Sequence, residues 1–292
     1  HVHSSPLMEA DRTVDAALSI ERAVGIPCIV GKELSEAVLS RYDTFVFDCD
    51  GVLWYAGELI KGTAEVLAGL RRRGKRLLFI TNNSTRTREM YAKKFEKLSI
   101  EAHVEELYPS SYCAASYLRT KLPHVRKVFV IGREGLIEEL ERVGVEVVSY
   151  TKEGHGLPEI DSEESFMSVT IDSDIGAVVC GWDLSFDYKR MAYASLCMQK
   201  NPSCVFVATN LDPADRLPGR MIPGNGAAVA SIERAVGRRA VVAGKPSNFL
   251  AEIIRSLPDV DASRTCMVGD RLDTDIAFGK QAGFDTLLTL TG

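Results

Sequence analysis

Nine short apolar runs rich in β-branched residues recur along the chain, at 44–47, 76–80, 127–131, 145–148, 177–180, 204–208, 240–243, 265–268 and 285–290, with helical patterns between them. Strand-length apolar segments alternating with helices are the pattern of parallel sheets covered on both faces, so the chain is predicted to be α/β. The helical pattern at 62–73 closes on Arg71-Arg72-Arg73 and Gly74, cations in a last turn followed by a glycine, which reads as a helix stop. A phosphate or nucleic-acid patch is the other reading of that basic run. At 292 residues the chain has room for two domains.

With 46% hydrophobic and 26% charged residues the chain can bury a core, which excludes a disordered tail. The formal net charge is −5 and no long block of like charge occurs, which speaks against nucleic-acid binding or a polybasic membrane anchor. Any anionic ligand must then be held locally. Seven scattered cysteines without a C-x-x-C pair indicate neither a disulfide framework nor a zinc ribbon, and reduced thiols fit the cytoplasm. No run of 18 apolar residues suggests a membrane span, and residues 1–10 lack the apolar centre of a secretory signal. Because the chain begins without Met, residues 1–7 read as a foreign remnant in which His1 and His3 have no chemical role. The polar segment 150–174 reads as an exposed loop. The Gly/Pro-rich stretch 217–226 reads as a domain hinge, or as a weak phosphate-cradling G-x-G at a helix start.

The chemistry concentrates at strand ends. The run Thr44 to Phe47 leads into Asp48-Cys49-Asp50-Gly51, and ligands of parallel α/β sheets bind beyond the carboxyl ends of strands. Carboxylates two residues apart can divide the roles of nucleophile and general acid and base, or they can simply close a strand with a turn. Residues 76–80 end in Thr81-Asn82-Asn83-Ser84, which suits phosphate oxygens or an ordinary helix cap. After 240–243 comes Gly244-Lys245-Pro246-Ser247, a lysine at a strand tip that is otherwise a solvated charge. After 265–268 comes Gly269-Asp270-Arg271-Leu272-Asp273-Thr274-Asp275, oxygen ligands for a hard cation or a solvated turn.

Taken together, these four segments resemble the haloacid dehalogenase (HAD) superfamily of aspartate-nucleophile phosphatases. The wording Asp-Cys-Asp-Gly-Val-Leu-Trp, Thr-Asn-Asn-Ser, Gly-Lys-Pro-Ser and Gly-Asp-Arg-Leu-Asp-Thr-Asp is similar to the p-nitrophenylphosphatase group, which includes phosphoglycolate and pyridoxal phosphate phosphatases. The resemblance spans roughly residues 40–292. It implies a HAD-like Rossmannoid core with a parallel sheet, residues 41–122 and 222–292, interrupted by an inserted α/β cap, residues 123–221. Residues 1–40 would be an N-terminal extension with a helix at 32–40.

The resemblance further implies that Asp48 attacks phosphorus to form an aspartyl-phosphate while Asp50 protonates the leaving group and later activates water. Mg²⁺ would be held by Asp48, the Asp50 carbonyl and Asp270, with Asp275 supporting the metal site. Thr81, Asn82, Asn83 and Lys245 would hold the phosphoryl group. An acid at Asp50 separates phosphatases and phosphomutases from dehalogenases and transport ATPases. A cap of this size selects small phosphorylated metabolites, and its loops offer Trp182, Asp183, Asn210, Asp212 and Asp215 as substrate contacts. Relatives preferring pyridoxal phosphate tend to carry His where this chain has Asp215, so phosphoglycolate is favoured. A homodimer through the cap is expected. Relatives usually continue past 285–290 with a further helix and strand, so the stop at Gly292 reads as a trimmed end. The rival readings are a phosphomutase of the same superfamily and a receiver-type phospho-acceptor module, which needs neither this length nor the insertion.

Overall fold

The structure, a computed structural model, describes residues 39–151, 157–217 and 219–291. The N-terminal extension and most of the helix expected at 32–40 lie outside the described residues. The strands are β1 (Thr44–Asp48), β2 (Trp54–Tyr55), β3 (Glu58–Leu59), β4 (Arg76–Thr81), β5 (Leu107–Pro109), β6 (Lys127–Ile131), β7 (Glu146–Val148), β8 (Ile175–Cys180), β9 (Val205–Ala208), β10 (Ala214–Leu217), β11 (Arg220–Pro223), β12 (Val241–Val242), β13 (Thr265–Gly269) and β14 (Asp285–Leu288). The helices are α1 (Thr63–Arg72), α2 (Arg88–Lys97), α3 (Ser110–Lys121), α4 (Glu134–Arg142), α5 (Glu163–Ser168), α6 (Tyr188–Lys200), α7 (Asn225–Val236), α8 (Asn248–Arg255) and α9 (Ala277–Ala282).

Two five-stranded parallel sheets form, in the orders β14-β13-β1-β4-β5 and β12-β9-β8-β6-β7. Every residue of β1 is buried, as a central parallel strand covered on both faces requires. One face of the first sheet packs Phe45, Phe47 and Phe79 against Leu67 and Leu70 of α1 and Tyr91 and Phe95 of α2. Its other face shares a core with the second sheet, in which Val46 and Leu78 join Val128 and Val179 through Leu118 of α3, Leu140 of α4 and Ile254 of α8. Across the second sheet, Phe129 and Phe206 pack on Tyr193 of α6 and Ile232 of α7.

Three stretches gain detail that their sequence left open. Val241 and Val242 pair in parallel with Val207 and Ala208, so the seventh apolar run belongs to the second sheet. The stretch 217–226 holds the end of β10, strand β11 and the start of α7. A Cβ on Gly224 would lie 2.3 Å from the Asp212 carbonyl oxygen and one on Gly226 2.4 Å from that of Leu211, so these glycines serve backbone packing. Within 150–174 lies the short helix α5, capped by Ser162, which accepts from the Ser165 N–H. The basic run is a helix stop, with Arg71 forked onto Glu106 at 2.9 and 2.6 Å.

Candidate active site

Strands β13, β1 and β4 are neighbours, so their carboxyl ends bring the Asp270, Asp48 and Thr81 segments together. The loop after β12 adds Lys245 from the second sheet. Lys245 is 2% exposed, and its ammonium donates to Asp48 Oδ1 and, at 2.7 Å, to Asp275 Oδ1. Burial opposes the charge on Lys245, but Asp275 and Asp48 hold its pKa above the ordinary lysine value. Burial pushes the Asp48 carboxyl well above the usual range against the pull of Lys245, and burial with Asp275 raises Asp270.

Oxygens of Asp48, Asp270 and Asp275 lie within 4.8 Å of one another. Three carboxylates face one ammonium, and the Asp270 Oδ1 atom is buried without a hydrogen-bond partner. An orphaned carboxylate oxygen costs several kcal/mol unless something positive meets it, and the all-oxygen set fits a hard divalent cation. Asp275 serves as a brace: its Oδ2 accepts from the N–H groups of Asp270 at 3.0 Å and Arg271 at 3.1 Å, and its Oδ1 accepts from Lys245. The glycines of the two acidic motifs have a steric reason. Gly51 has φ +91°, and a Cβ there would lie 2.6 Å from Asp270 Oδ2, while one on Gly269 would lie 2.1 Å from the Asp275 Cβ.

Asp50 is exposed to the cavity and accepts from Trp54 Nε1 at 2.8 Å and from the Thr81 hydroxyl at 3.2 Å. The side chains of Asn82 and Asn83 are committed to the scaffold. Asn82 Nδ2 donates to Asp212 Oδ1 and to the Lys245 carbonyl, both at 3.0 Å, and its Oδ1 accepts from the Lys245 N–H at 2.8 Å. Asn83 Oδ1 turns onto the Thr85 N–H and hydroxyl. Asn82 thus ties the Lys245 loop to the loop after β9.

A cavity of about 440 Å³ separates these tips from the loops of the second sheet, and Trp182, Asn210, Asp212 and Asp215 line it. Trp182 is held by Nε1 donating to the Pro223 carbonyl at 3.3 Å, and Asn210 Nδ2 donates to the Asn82 carbonyl at 2.7 Å. Burial raises Asp212 against the hydrogen bond from Asn82. Burial, then Asp212 and Asp50, push the Asp215 carboxyl up to about 6. Asp183 does not line the cavity: its Oδ1 accepts from the Ser185 N–H, and Oδ2 faces the Arg190 guanidinium at 3.3 Å. Its carboxylate thus closes a turn and pairs with Arg190. The cavity also takes in Trp54, Tyr55, Ser84, Arg271 and Met221, which sequence reasoning did not assign. Trp54 and Arg271 stood inside the motif wording, but a side chain's direction cannot be read from its position in a run.

The family profile described as haloacid dehalogenase-like hydrolase matches residues 45–146, and a second HAD-like hydrolase profile matches residues 242–292. The chain is 42% identical over 262 residues to phosphoglycolate phosphatase 1A, chloroplastic, of Arabidopsis thaliana, covering 89% of this chain and 72% of that one. It is 41% identical over 271 residues to glycerol-3-phosphate phosphatase of Mus musculus, covering 89% and 82%. Among solved structures, the glycerol phosphate phosphatase of Mycobacterium tuberculosis in complex with magnesium superposes with a TM-score of 0.71 at 29% identity, covering 87% of this chain and 70% of that one. With four strand-tip segments converging as that family's architecture demands, the chain belongs to the haloacid dehalogenase-like hydrolases and, within them, to the phosphatases.

Proposed function

We propose that this chain hydrolyses small phosphomonoesters through an aspartyl-phosphate on Asp48. The observation that carries this reading is the buried Asp48–Lys245–Asp275 array with the unpartnered Asp270 oxygen, set at the floor of a cavity of about 440 Å³. A cavity of that size suits a small molecule.

A monoester carries about −1.5 to −2, so the attack of Asp48 brings anion to anion and the repulsion must be cancelled. Lys245 neutralises charge at Asp48 itself. The Asp48 and Asp270 carboxylates, with the Asp50 main-chain carbonyl, are the groups that would hold Mg²⁺, which supplies positive charge where negative charge builds up. Asp275, with both oxygens engaged, keeps the Asp270 segment and Lys245 in place. As the Asp48 oxygen bonds to phosphorus, the bond to the leaving oxygen breaks and that oxygen takes a proton from Asp50. Water then gives a proton back to Asp50 and displaces the Asp48 carboxylate from phosphorus. Thr81, whose hydroxyl points at Asp50, is placed to meet a phosphoryl oxygen once that bond turns.

Phosphoglycolate remains the favoured substrate, in keeping with the name of the Arabidopsis relative. The acidic wall formed by Asp212 and Asp215 favours a second reading, a glycerol phosphate, because hydroxyls accept such neighbours and a carboxylate is repelled by them. A homodimer through the second unit belongs to this reading, supported by exposed Met167, Leu184 and Tyr188 there. The described cysteines are unpaired and buried, which supports a reducing compartment such as the cytosol, and no helix among the described residues is long and apolar enough to cross a membrane.

The test is phosphate release from p-nitrophenyl phosphate, phosphoglycolate and glycerol 3-phosphate, each with Mg²⁺ or with EDTA. Release of many phosphates per chain with Mg²⁺, abolished by EDTA, is expected. A phosphomutase would move the phosphoryl group without freeing it, and no release from any ester would sink the reading.

A further inference from the structure

We propose that Trp54 is a positioning residue that decides which oxygen of Asp50 carries the transferred proton. This rests on the hydrolase reading above. The loop after β1 doubles back within six residues: the Leu53 N–H donates to the Cys49 carbonyl at 2.8 Å and the Gly51 N–H to the Trp54 carbonyl at 2.8 Å. Residue 54 is thereby returned beside residue 50, and Trp54 Nε1 reaches Asp50 Oδ1 at 2.8 Å. Trp54 is 1% exposed and its indole is gripped on two sides, with Phe95 edge-on at 5.1 Å between ring centroids and Lys94 Nζ 3.6 Å from the ring centroid. Ring and N–H direction are thus set by packing, whatever occupies the cavity.

An indole N–H can only donate. While it points at Oδ1, that oxygen accepts, and because the carbonyl oxygen of a carboxylic acid is its better acceptor, the bond favours a proton on Asp50 at Oδ2. Oδ2 faces the Thr81 hydroxyl at 3.2 Å, and that hydroxyl accepts from the Asn83 N–H at 3.1 Å. A hydroxyl has two lone pairs and one proton. Protonated Asp50 therefore donates from Oδ2 to the second lone pair of Thr81, and the Thr81 O–H is released toward a phosphoryl oxygen. When the leaving oxygen takes the Oδ2 proton, Asp50 becomes a carboxylate and Thr81 can donate to it again. Trp54 makes the two states of Asp50 alternate at one oxygen.

The experiment compares kcat/KM for an alkyl ester, glycerol 3-phosphate, with that for p-nitrophenyl phosphate in the wild type and Trp54→Phe. Because kcat/KM covers steps only up to release of the alcohol, the later water step does not enter. An alkoxide needs the proton and a nitrophenolate hardly does. Loss of the N–H should lower the alkyl value about tenfold, the worth of one hydrogen bond to a charged group, and leave the aryl value within about twofold. The benzothienyl analogue of tryptophan at position 54, which keeps the ring shape and lacks the N–H, should give the same split and guards against a packing defect in Trp54→Phe. Equal losses on both esters in the analogue, or no loss on either, would overturn the assignment. If the wild type hydrolyses neither ester, the phosphatase reading itself falls and this assignment with it.

Discussion

Replacing Lys245 by Met keeps the length of the side chain and removes its charge. In the folded protein that takes the buried group of Asp48, Asp270, Asp275 and Lys245 from two net negative charges to three when the acids are ionised. One uncancelled charge about 4 Å from an incoming phosphate costs about 4 kcal/mol at an effective dielectric constant of about 20, which is roughly a thousandfold in rate. The same substitution strands two carboxylates that are nearly fully buried. Breaking a buried ion pair from one side costs about 3–5 kcal/mol, on the order of 10 °C in Tm for a chain of this size. The deficit has a pH sign. Burial has raised the Asp48 pKa in the folded state, so folding is favoured where Asp48 is neutral and that advantage is lost as pH rises through its folded value. Without Lys245 nothing offsets the loss, and Lys245→Met should melt closer to the wild type at pH 5 than at pH 8. The assay pairs phosphate release with thermal melts followed by circular dichroism at both pH values. A variant within tenfold of the wild type in kcat/KM would refute the charge argument, and an equal melting deficit at both pH values would refute the burial argument.

Two further perturbations separate wall from floor. Asp215 gains its charge near pH 6, so KM for an anionic substrate such as phosphoglycolate should rise as pH goes from 5 to 8, and Asp215→Asn should flatten that rise; parallel pH profiles in both proteins would show that the wall carboxylate does not meet the substrate. Asn82→Ala removes the bridge from Asp212 to Lys245 and orphans the buried Lys245 N–H and carbonyl, at about 1–3 kcal/mol each. It should lower both stability and kcat about tenfold or more, and an unchanged kcat would show that Lys245 is held without it.

Much of the site was legible because its parts are local. A buried apolar run that ends in Asp-x-Asp-Gly or Gly-Asp exposes its polar residues at the strand's carboxyl end, whichever neighbours the strand acquires. The seventh run was also readable as a strand, but not its sheet, because Val241 and Val242 suit any covered position and their pairing with β9 is settled by the whole second unit. What the side chains of Asn82, Asn83 and Asp183 bond to was not readable for a related reason. Short polar side chains near a ligand site serve equally well as backbone braces, and only their hydrogen-bond partners tell the two uses apart.

The amino-acid order by itself determined the α/β class, the strand-end carboxylates and the glycines that let them approach, since period, turn chemistry and the absence of a Cβ act over a few residues. Tertiary structure alone decided that Lys245 meets Asp48 across 197 residues of chain, that Asp270 keeps an oxygen without a partner, and that Trp54 aims its N–H at Asp50. Those are facts of direction at the ångström scale, and packing sets direction through neighbours that no local stretch of sequence contains.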